Sequence, residues 1–238
     1  MGAQIEILPE TGSTNGDLAA RLHSGERFAE GFWLIADRQS AGRGRQGREW
    51  FDGSGNFMGS TAVHVGEGDP PAPSLAFVAG IAVWEAVSHR IPDPSRLVLK
   101  WPNDLMLDGA KLAGILLEGV GDAVVVGIGV NLARAPELPD RRTVALSALG
   151  PAPDRDGFAA TLSTTFAEAC ARWRQYGLEP TLSRWQSVAH PVGTPLTVHE
   201  PGAEPVQGAY AGLAPDGALR LRLPDGAIRV VHAGDVFA

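Results

Sequence analysis

The chain has 238 residues, 44% of them hydrophobic and 20% charged, with a formal net charge of −7. That length supports one large domain or a moderate domain with a small appendage, and the balance is that of an ordinary globular protein rather than a disordered one. The acidic sum argues against a protein whose business is to coat nucleic acid, and a single cysteine, Cys170, excludes an intrachain disulfide and a thiolate metal cage.

Residues 4–8 alternate like a strand and lead into Thr11–Asn15, a turn of small polar groups. Residues 16–24 predict a short helix stopped by Gly25, and Phe32–Ala36 a buried strand. Residues 37–56 form a polar loop rich in Gly and Arg, longer than a compact domain tolerates without a functional reason. Residues 57–65 return to strand. Ser74 is the expected N-cap of a helix whose apolar stripe is Leu75, Val78, Ala79, Ala82, Val83, Ala86 and Val87. Residues 96–101, 104–107, 111–118 and 123–130 predict successive strands. A long helix covers 156–176, with Phe158, Leu162, Phe166, Cys170 and Trp173 on one side and Gly177 as its stop, which makes Cys170 a small core residue. Beyond 190 come short alternating segments separated by the turns Pro215-Asp216-Gly217 and Pro224-Asp225-Gly226. They predict a separate β-module, a partly open barrel, rather than an extension of the main sheet. The expected division is 1–188 and 189–238.

The six histidines lack ligand spacing, so a metal held permanently by His is not expected, whereas one carried in on a nucleotide stays open. No apolar run is long enough to span a bilayer, and Met1–Glu6 has no basic stretch followed by an apolar one. A soluble cytoplasmic protein with no membrane partner is the expectation.

Three elements carry chemistry. The chain uses lysine only at positions 100 and 111 and writes every other basic residue as Arg. An ammonium is a compact point charge, unlike the flat guanidinium fork, so these two positions suit a task that Arg does badly. The turn Asp108-Gly109 predicts a hairpin in which Met106 opposes Lys111 and Asp104 opposes Ala113, gathering Lys111 and Asp104 on one face. Lys100 shares that parity unless Pro102 introduces a bulge. A second element is Gly42-Arg43-Gly44-Arg45-Gln46-Gly47-Arg48-Glu49-Trp50, whose glycines let backbone approach an anion while its arginines neutralise it and Trp50 offers a flat face. It lacks the Gly-Lys-Ser/Thr ending of a Walker loop. The third is Gly127-Ile128-Gly129-Val130-Asn131, where glycines permit close approach and Asn131 can read a polar edge. Cations grouped with one carboxylate suit the joining of two anions, as in nucleotide-dependent activation of a carboxylate.

In order and spacing, these strings, with Ser13-Thr14-Asn15, Gln39, Lys100-Trp101-Pro102-Asn103-Asp104-Leu105 and Lys111-Leu112-Ala113-Gly114-Ile115-Leu116, resemble the biotin–protein ligases, most specifically over residues 8–135. The resemblance implies an α+β fold: a mixed sheet with flanking helices akin to class II aminoacyl-tRNA synthetases, followed by an SH3-like C-terminal barrel. It implies formation of biotinyl-5′-AMP from biotin and ATP with Mg²⁺, then transfer of biotin to a lysine of a biotin carboxyl carrier domain. The implied biotin site comprises Ser13, Thr14, Asn15 and Gln39 at the ureido end, with Gly42, Arg43, Gly44, Arg45, Lys111 and Gly114. The implied ATP site comprises Arg45, Arg48, Trp50, Lys100, Asn103, Asp104 and Asn131. Lys111, Arg43 and Arg45 are the implied catalytic residues, and Asp104 a transient Mg²⁺ ligand. The Gly/Arg loop is expected to be mobile when empty and ordered over the adenylate.

Two departures bear on this. Only about ten residues precede Thr11–Asn15, so the DNA-binding domain that some members carry is not expected, nor is operator binding. At Asn56-Phe57-Met58 the family often places an aromatic one position later. A lipoate–protein ligase and a non-catalytic Arg/Gly RNA-binding module are the alternatives, and monomer or homodimer stays open.

Overall fold

Two β-sheets share one apolar core in the structure, a computed structural model that describes residues 4–237. Met1–Ala3, at the start of the expected first unit, and Ala238, at the end of the second, lie outside the described residues. The first sheet is built from β1 (Ile5–Leu8), β2 (Trp33–Ala36), β3 (Phe57–His64), β4 (Leu97–Lys100), β5 (Asp104–Leu107), β6 (Ala110–Val120) and β7 (Ala123–Val130). Its spatial order is β1-β2-β3-β7-β6-β5-β4, with only β1 and β2 parallel, so the sheet is mixed.

Alternation along the strands sorts the two faces of this sheet. Trp33, Ile35, Val124, Val126 and Ile128 face the main core, beneath α2 (Leu75–Ser88), α3 (Arg155–Tyr176) and α4 (Leu178–Gln186). Leu34, Val120 and Val125 point the other way and pack with Leu18 of α1 (Thr14–His23) in a second cluster. The candidate site residues of the sheet lie on this second face, where α1 covers only part of it.

The second sheet, β8 (Pro195–His199), β9 (Val206–Leu213), β10 (Leu219–Arg222), β11 (Ile228–Val231) and β12 (Asp235–Phe237), is wholly antiparallel in the order β11-β10-β9-β8-β12. Its inward residues Leu196, Val198, Leu219, Leu221 and Val236 join the main core. The fold is therefore α+β, with a large mixed sheet, flanking helices and a small antiparallel sheet. No helix among the described residues is long and apolar enough to cross a membrane.

Several local expectations need correction. The first helix begins at Thr14, so Thr14 and Asn15 occupy its first turn, and Ser13 is the N-cap whose side chain accepts from Gly16 N–H. Ser74 occupies the N-cap position of α2 as expected but makes no side-chain cap hydrogen bond: it ends a 3₁₀ turn over Ala72–Ser74, and its Oγ accepts from Trp173 Nε1–H at 2.8 Å. All seven stripe residues of α2 are buried as expected, and because Phe77, Gly80 and Ile81 are buried as well the helix is enclosed nearly all round. Helix α4 and strand β12 have no counterpart in the expectations. Pro180 sits in the first turn of α4, where the missing N–H breaks no helical bond.

Cys170 is buried among these helices with no charged partner strong enough to favour its thiolate, and burial pushes the thiol up to about 12. An aromatic disulfide reagent at pH 8 is expected to leave Cys170 unmodified in the folded protein and to titrate one thiol in urea. Rapid labelling without denaturant would refute the helix packing described.

Candidate functional site

The hairpin at Asp108-Gly109 forms as expected, with both turn residues at positive φ (50° and 72°). Leu107 opposes Ala110 and Met106 opposes Lys111, but Asp104 opposes Gly114, not Ala113. The register slips because Leu112 is an extra residue in β6, its carbonyl accepting from Asn131 N–H instead of a β5 donor. One consequence is that Lys111 and Gly114, three apart in sequence, share the cavity face. On the other side of β5 no slip occurs, and Lys100 stands directly opposite Asp104.

The three charges meet closely. Lys111 Nζ lies 2.7 Å from Asp104 Oδ1, and Lys100 Nζ lies 3.5 Å from Oδ2. Burial works against the Asp104 charge, but the Lys111 and Lys100 ammonium groups outweigh it and hold the carboxyl below its ordinary range. Lys100 moves the opposite way to an ordinary ion-paired lysine: burial, only partly offset by Asp104, draws its pKa down.

Strand β7 supplies the floor. Its cavity-face residues after Val125 are Gly127 and Gly129, and Asn131 follows directly beyond its end. A Cβ on Gly127 would stand 2.2 Å from Asn15 Oδ1, and one on Gly129 equally close to the Trp50 indole. Both glycines are therefore required by close approach. Gly114 meets the same indole, and Lys111 Nζ lies 5.7 Å from its centroid. Asn131 is buried; its amide donates to Val144 O at 3.2 Å, while Oδ1 has no partner among the described residues.

The Gly/Arg loop folds as a small hairpin over this floor. Trp50 N–H donates to Gly42 O and Gly44 N–H to Arg48 O, with a tight turn over Arg45–Gly47. Arg45 donates to Asn103 Oδ1 (3.1 Å) and Gly234 O (3.4 Å), and Arg48 pairs with Asp235 at 2.8 Å. Lys100 Nζ donates to Val236 O at 3.1 Å. Strand β12 of the small sheet thus closes one rim of the cavity.

At the far end stand neutral groups. Gln39 is zipped against Thr11 in a short parallel bridge, and its Oε1 accepts from Thr14 N–H at 2.7 Å. Ser60 on β3, fully buried, touches Thr14 Oγ1 (2.7 Å) and Asn15 Oδ1 (2.6 Å).

The resulting cavity of about 710 Å³ is lined by every sequence-predicted site residue except Gly42, which is a backbone pivot beside Gln39 and Trp50. It also contains residues that no local motif announces: Ser60, Arg141, Thr143, Asp235 and Val236. Arg141 arrives by topology. After β7 the chain doubles back beside Lys111, whose N–H donates to Arg142 O and whose carbonyl accepts from Val144 N–H. Lys111 and Thr143 form a parallel bridge, so Thr143 and Arg141 alternate onto the cavity side.

Comparison with known proteins bears on this geometry. The model of the biotin/lipoate A/B protein ligase family matches residues 13–132, and that of the biotin protein ligase C-terminal domain matches 194–238. A biotin–[acetyl-CoA-carboxylase] ligase of Paracoccus denitrificans is 38% identical, covering 97% of this chain and 99% of that protein. One from Mycobacterium tuberculosis is 38% identical over 98% of this chain and 88% of its own length. The structure of biotin protein ligase from Aquifex aeolicus in complex with biotin and ATP superposes with a TM-score of 0.85 at 26% identity, covering 98% of this chain and 97% of that one.

Removing Asp104 leaves two neighbouring ammonium groups without their counter-charge. Asp104→Asn is expected to cost about 3–5 kcal/mol of unfolding free energy at pH 7. A carboxyl held below its ordinary range stabilises the fold above the unfolded-state value, about 3.9, and that contribution is lost as pH falls through the depressed folded value. Urea titrations should therefore show the two proteins converging below about pH 4.

Proposed function

The chain belongs to the biotin/lipoate A/B protein ligase family, and from that premise we propose how its cavity performs the reaction of a biotin–protein ligase. The activity is the ATP-dependent joining of biotin to protein. The observation that supports the assignment of roles is the polarity along the cavity: a neutral hydrogen-bonding end, a glycine floor, then clustered cations. Biotin has the same sequence of chemistry, from a neutral cyclic urea through an apolar chain to a carboxylate. Lipoate ends in a dithiolane, which offers neither N–H nor carbonyl to the groups at the neutral end.

Ser13, Thr14, Asn15 and Gln39 receive the ureido group. Arg43, Gly44 and Arg45 cover the chain and the phosphate, and Gly114 leaves room for them. Lys111 contacts the carboxylate and the α-phosphoryl oxygens, and Arg48, Lys100 and Asn103 hold the remaining phosphates. Trp50 and Asn131 contact the nucleoside. A carboxylate oxygen attacks the α-phosphorus, and pyrophosphate leaves with the electron pair of the broken P–O bond. In the second step the amine of an acceptor lysine, on a biotin carboxyl carrier domain, attacks the acyl carbon; AMP leaves and one proton passes to solvent. The reaction is assigned to the cytoplasm, by residues 1–188 with 189–238 closing the rim, and no DNA or membrane partner is assigned.

Asp104 does not fit a resident Mg²⁺ site. Both its oxygens face ammonium groups, and the described residues contain no group of three or more His, Cys, Asp or Glu placed to hold a metal ion. Mg²⁺ is accordingly assigned to the phosphates of the ATP with which it enters, where it screens their charge. Asp104 acts as the anchor of the two lysines.

Lys111→Ala is expected to slow biotin-dependent ATP–pyrophosphate exchange at least ~100-fold, about 2.7 kcal/mol of barrier. An unchanged exchange rate would remove Lys111 from the chemistry. The Arg45 tether to Asn103 and Gly234 keeps the loop over the adenylate, shielding a hydrolysable anhydride. Arg45→Gly should release biotinyl-AMP and biotinylate bystander proteins, read by avidin blot; labelling confined to the carrier domain would rule out the loop as the retaining lid.

A further inference from the structure

One acidic side chain outside the cavity lining sets the hydrogen-bond polarity of its neutral end. Glu118 lies on β6, on the same face as Gly114, and Asn15 Nδ2 donates to its Oε2 at 2.6 Å across 103 residues of sequence. Ionised carboxylates only accept, so this contact fixes which end of the Asn15 amide is which. Nδ2 faces Glu118 and Oδ1 faces Ser60. Ser60 has one proton, and Asn15 Oδ1 at 2.6 Å takes it. The 2.7 Å contact between Ser60 and Thr14 is then a hydrogen bond only if Thr14 Oγ1 donates; the same hydroxyl also lies 3.1 Å from Gln39 Oε1, its other acceptor, so in either arrangement its one proton stays within the protein and the Thr14 oxygen keeps a free lone pair. Gln39 is oriented independently, because its Oε1 must accept from Thr14 N–H, and Nε2 remains as a donor without a protein partner among the described residues.

We propose that Glu118 is a positioning residue for substrate binding: through Asn15 and Ser60 it orders the protons so that Thr14 presents an acceptor to the substrate head group, beside the donor that Gln39 presents independently. This rests on the ligase reading given above and extends it to residues that do not touch substrate. A cyclic urea supplies the complement, N–H groups as donors and a carbonyl as acceptor. The geometry depends on Gly127, since Asn15 reaches from Ser60 on β3 to Glu118 on β6 through the space a Cβ would fill. Without the carboxylate the Asn15 amide can turn over. Ser60 then loses its acceptor and its proton can turn to Thr14 Oγ1, occupying the lone pair that a substrate N–H would meet, while the Thr14 proton goes to Gln39 Oε1.

The test compares wild type with Glu118→Met and Glu118→Gln in biotin-dependent ATP–pyrophosphate exchange, with biotin and with 2-iminobiotin, whose ureido oxygen is replaced by nitrogen. Methionine keeps the length and removes the acceptor, whereas a glutamine oxygen can still accept from Asn15. Glu118→Met should raise KM for biotin at least about tenfold, the scale of one hydrogen bond to a charged group, with kcat nearly unchanged. 2-Iminobiotin, which keeps the ring N–H groups that meet Thr14, should lose affinity by a similar factor in that variant, and Glu118→Gln should retain most of the affinity for both acids. An unchanged biotin KM in Glu118→Met overturns the proposal. So does equal impairment of the two variants, or a loss of kcat with unaltered KM, each of which marks Glu118 as a general structural residue. Melting temperatures of all three proteins separate misfolding from altered binding. Absence of biotin-dependent exchange in the wild type would instead count against the ligase reading itself.

Discussion

Two like charges share a half-buried site because one carboxylate stands between them. At an effective dielectric near 20, unit charges about 4 Å apart interact by about 4 kcal/mol, comparable to a large part of a domain's net stability. Each lysine is attracted to Asp104 on that scale, which offsets the repulsion between Lys100 and Lys111, and the three groups are held at fixed positions. Much of the surrounding architecture serves that arrangement. β5 is a short strand one in from the sheet edge whose first residue is the carboxylate, flanked by one strand that ends in Lys100 and another that begins near Lys111. Compact ammonium groups can approach the same carboxylate from two sides, which two planar guanidinium forks would do with greater crowding.

The sheet contributes through a simple asymmetry. Val124, Val126, Ile128 and Val130 make one face of β7 as apolar as any core strand, while Gly127 and Gly129 strip the other face to backbone. The same strand thus anchors the fold and opens the cavity, and neither function constrains the other. Trp50 exploits the cleared surface, lying where side chains of adjacent strands would ordinarily stand.

Much of this was legible in the residues. The Asp-Gly turn, the strand series from Leu97 to Val130, the long helix closed by Gly177 and the role of Cys170 all follow from periodicity and turn chemistry, which are local. Contacts that depend on distant segments were not. The slip at Leu112 is decided by Asn131, and Ser74 serves Trp173 rather than its own helix. Pro180 reads as a breaker until its position in the first turn is known. Arg141 carries no motif, and it reaches the cavity only because the returning chain pairs with Lys111. Ser60 and Glu118 likewise look like ordinary strand residues until α1 is laid across them. The local pattern therefore announced the charged and glycine-rich lining of the cavity better than the residues brought beside it from distant segments.

Strand β12 bears on how the protein is made. Lys100 and Arg48 find partners at Val236 and Asp235, and Trp101 Nε1 donates to Gly217 O. A nascent chain still in the exit tunnel beyond Arg222 already holds Thr14, Gln39 and Lys111, yet lacks the wall against which the arginine hairpin rests. An unfinished polypeptide released by a stalled ribosome would therefore have a cavity open on this side. Closure of the rim waits until β12 has been synthesised and can dock.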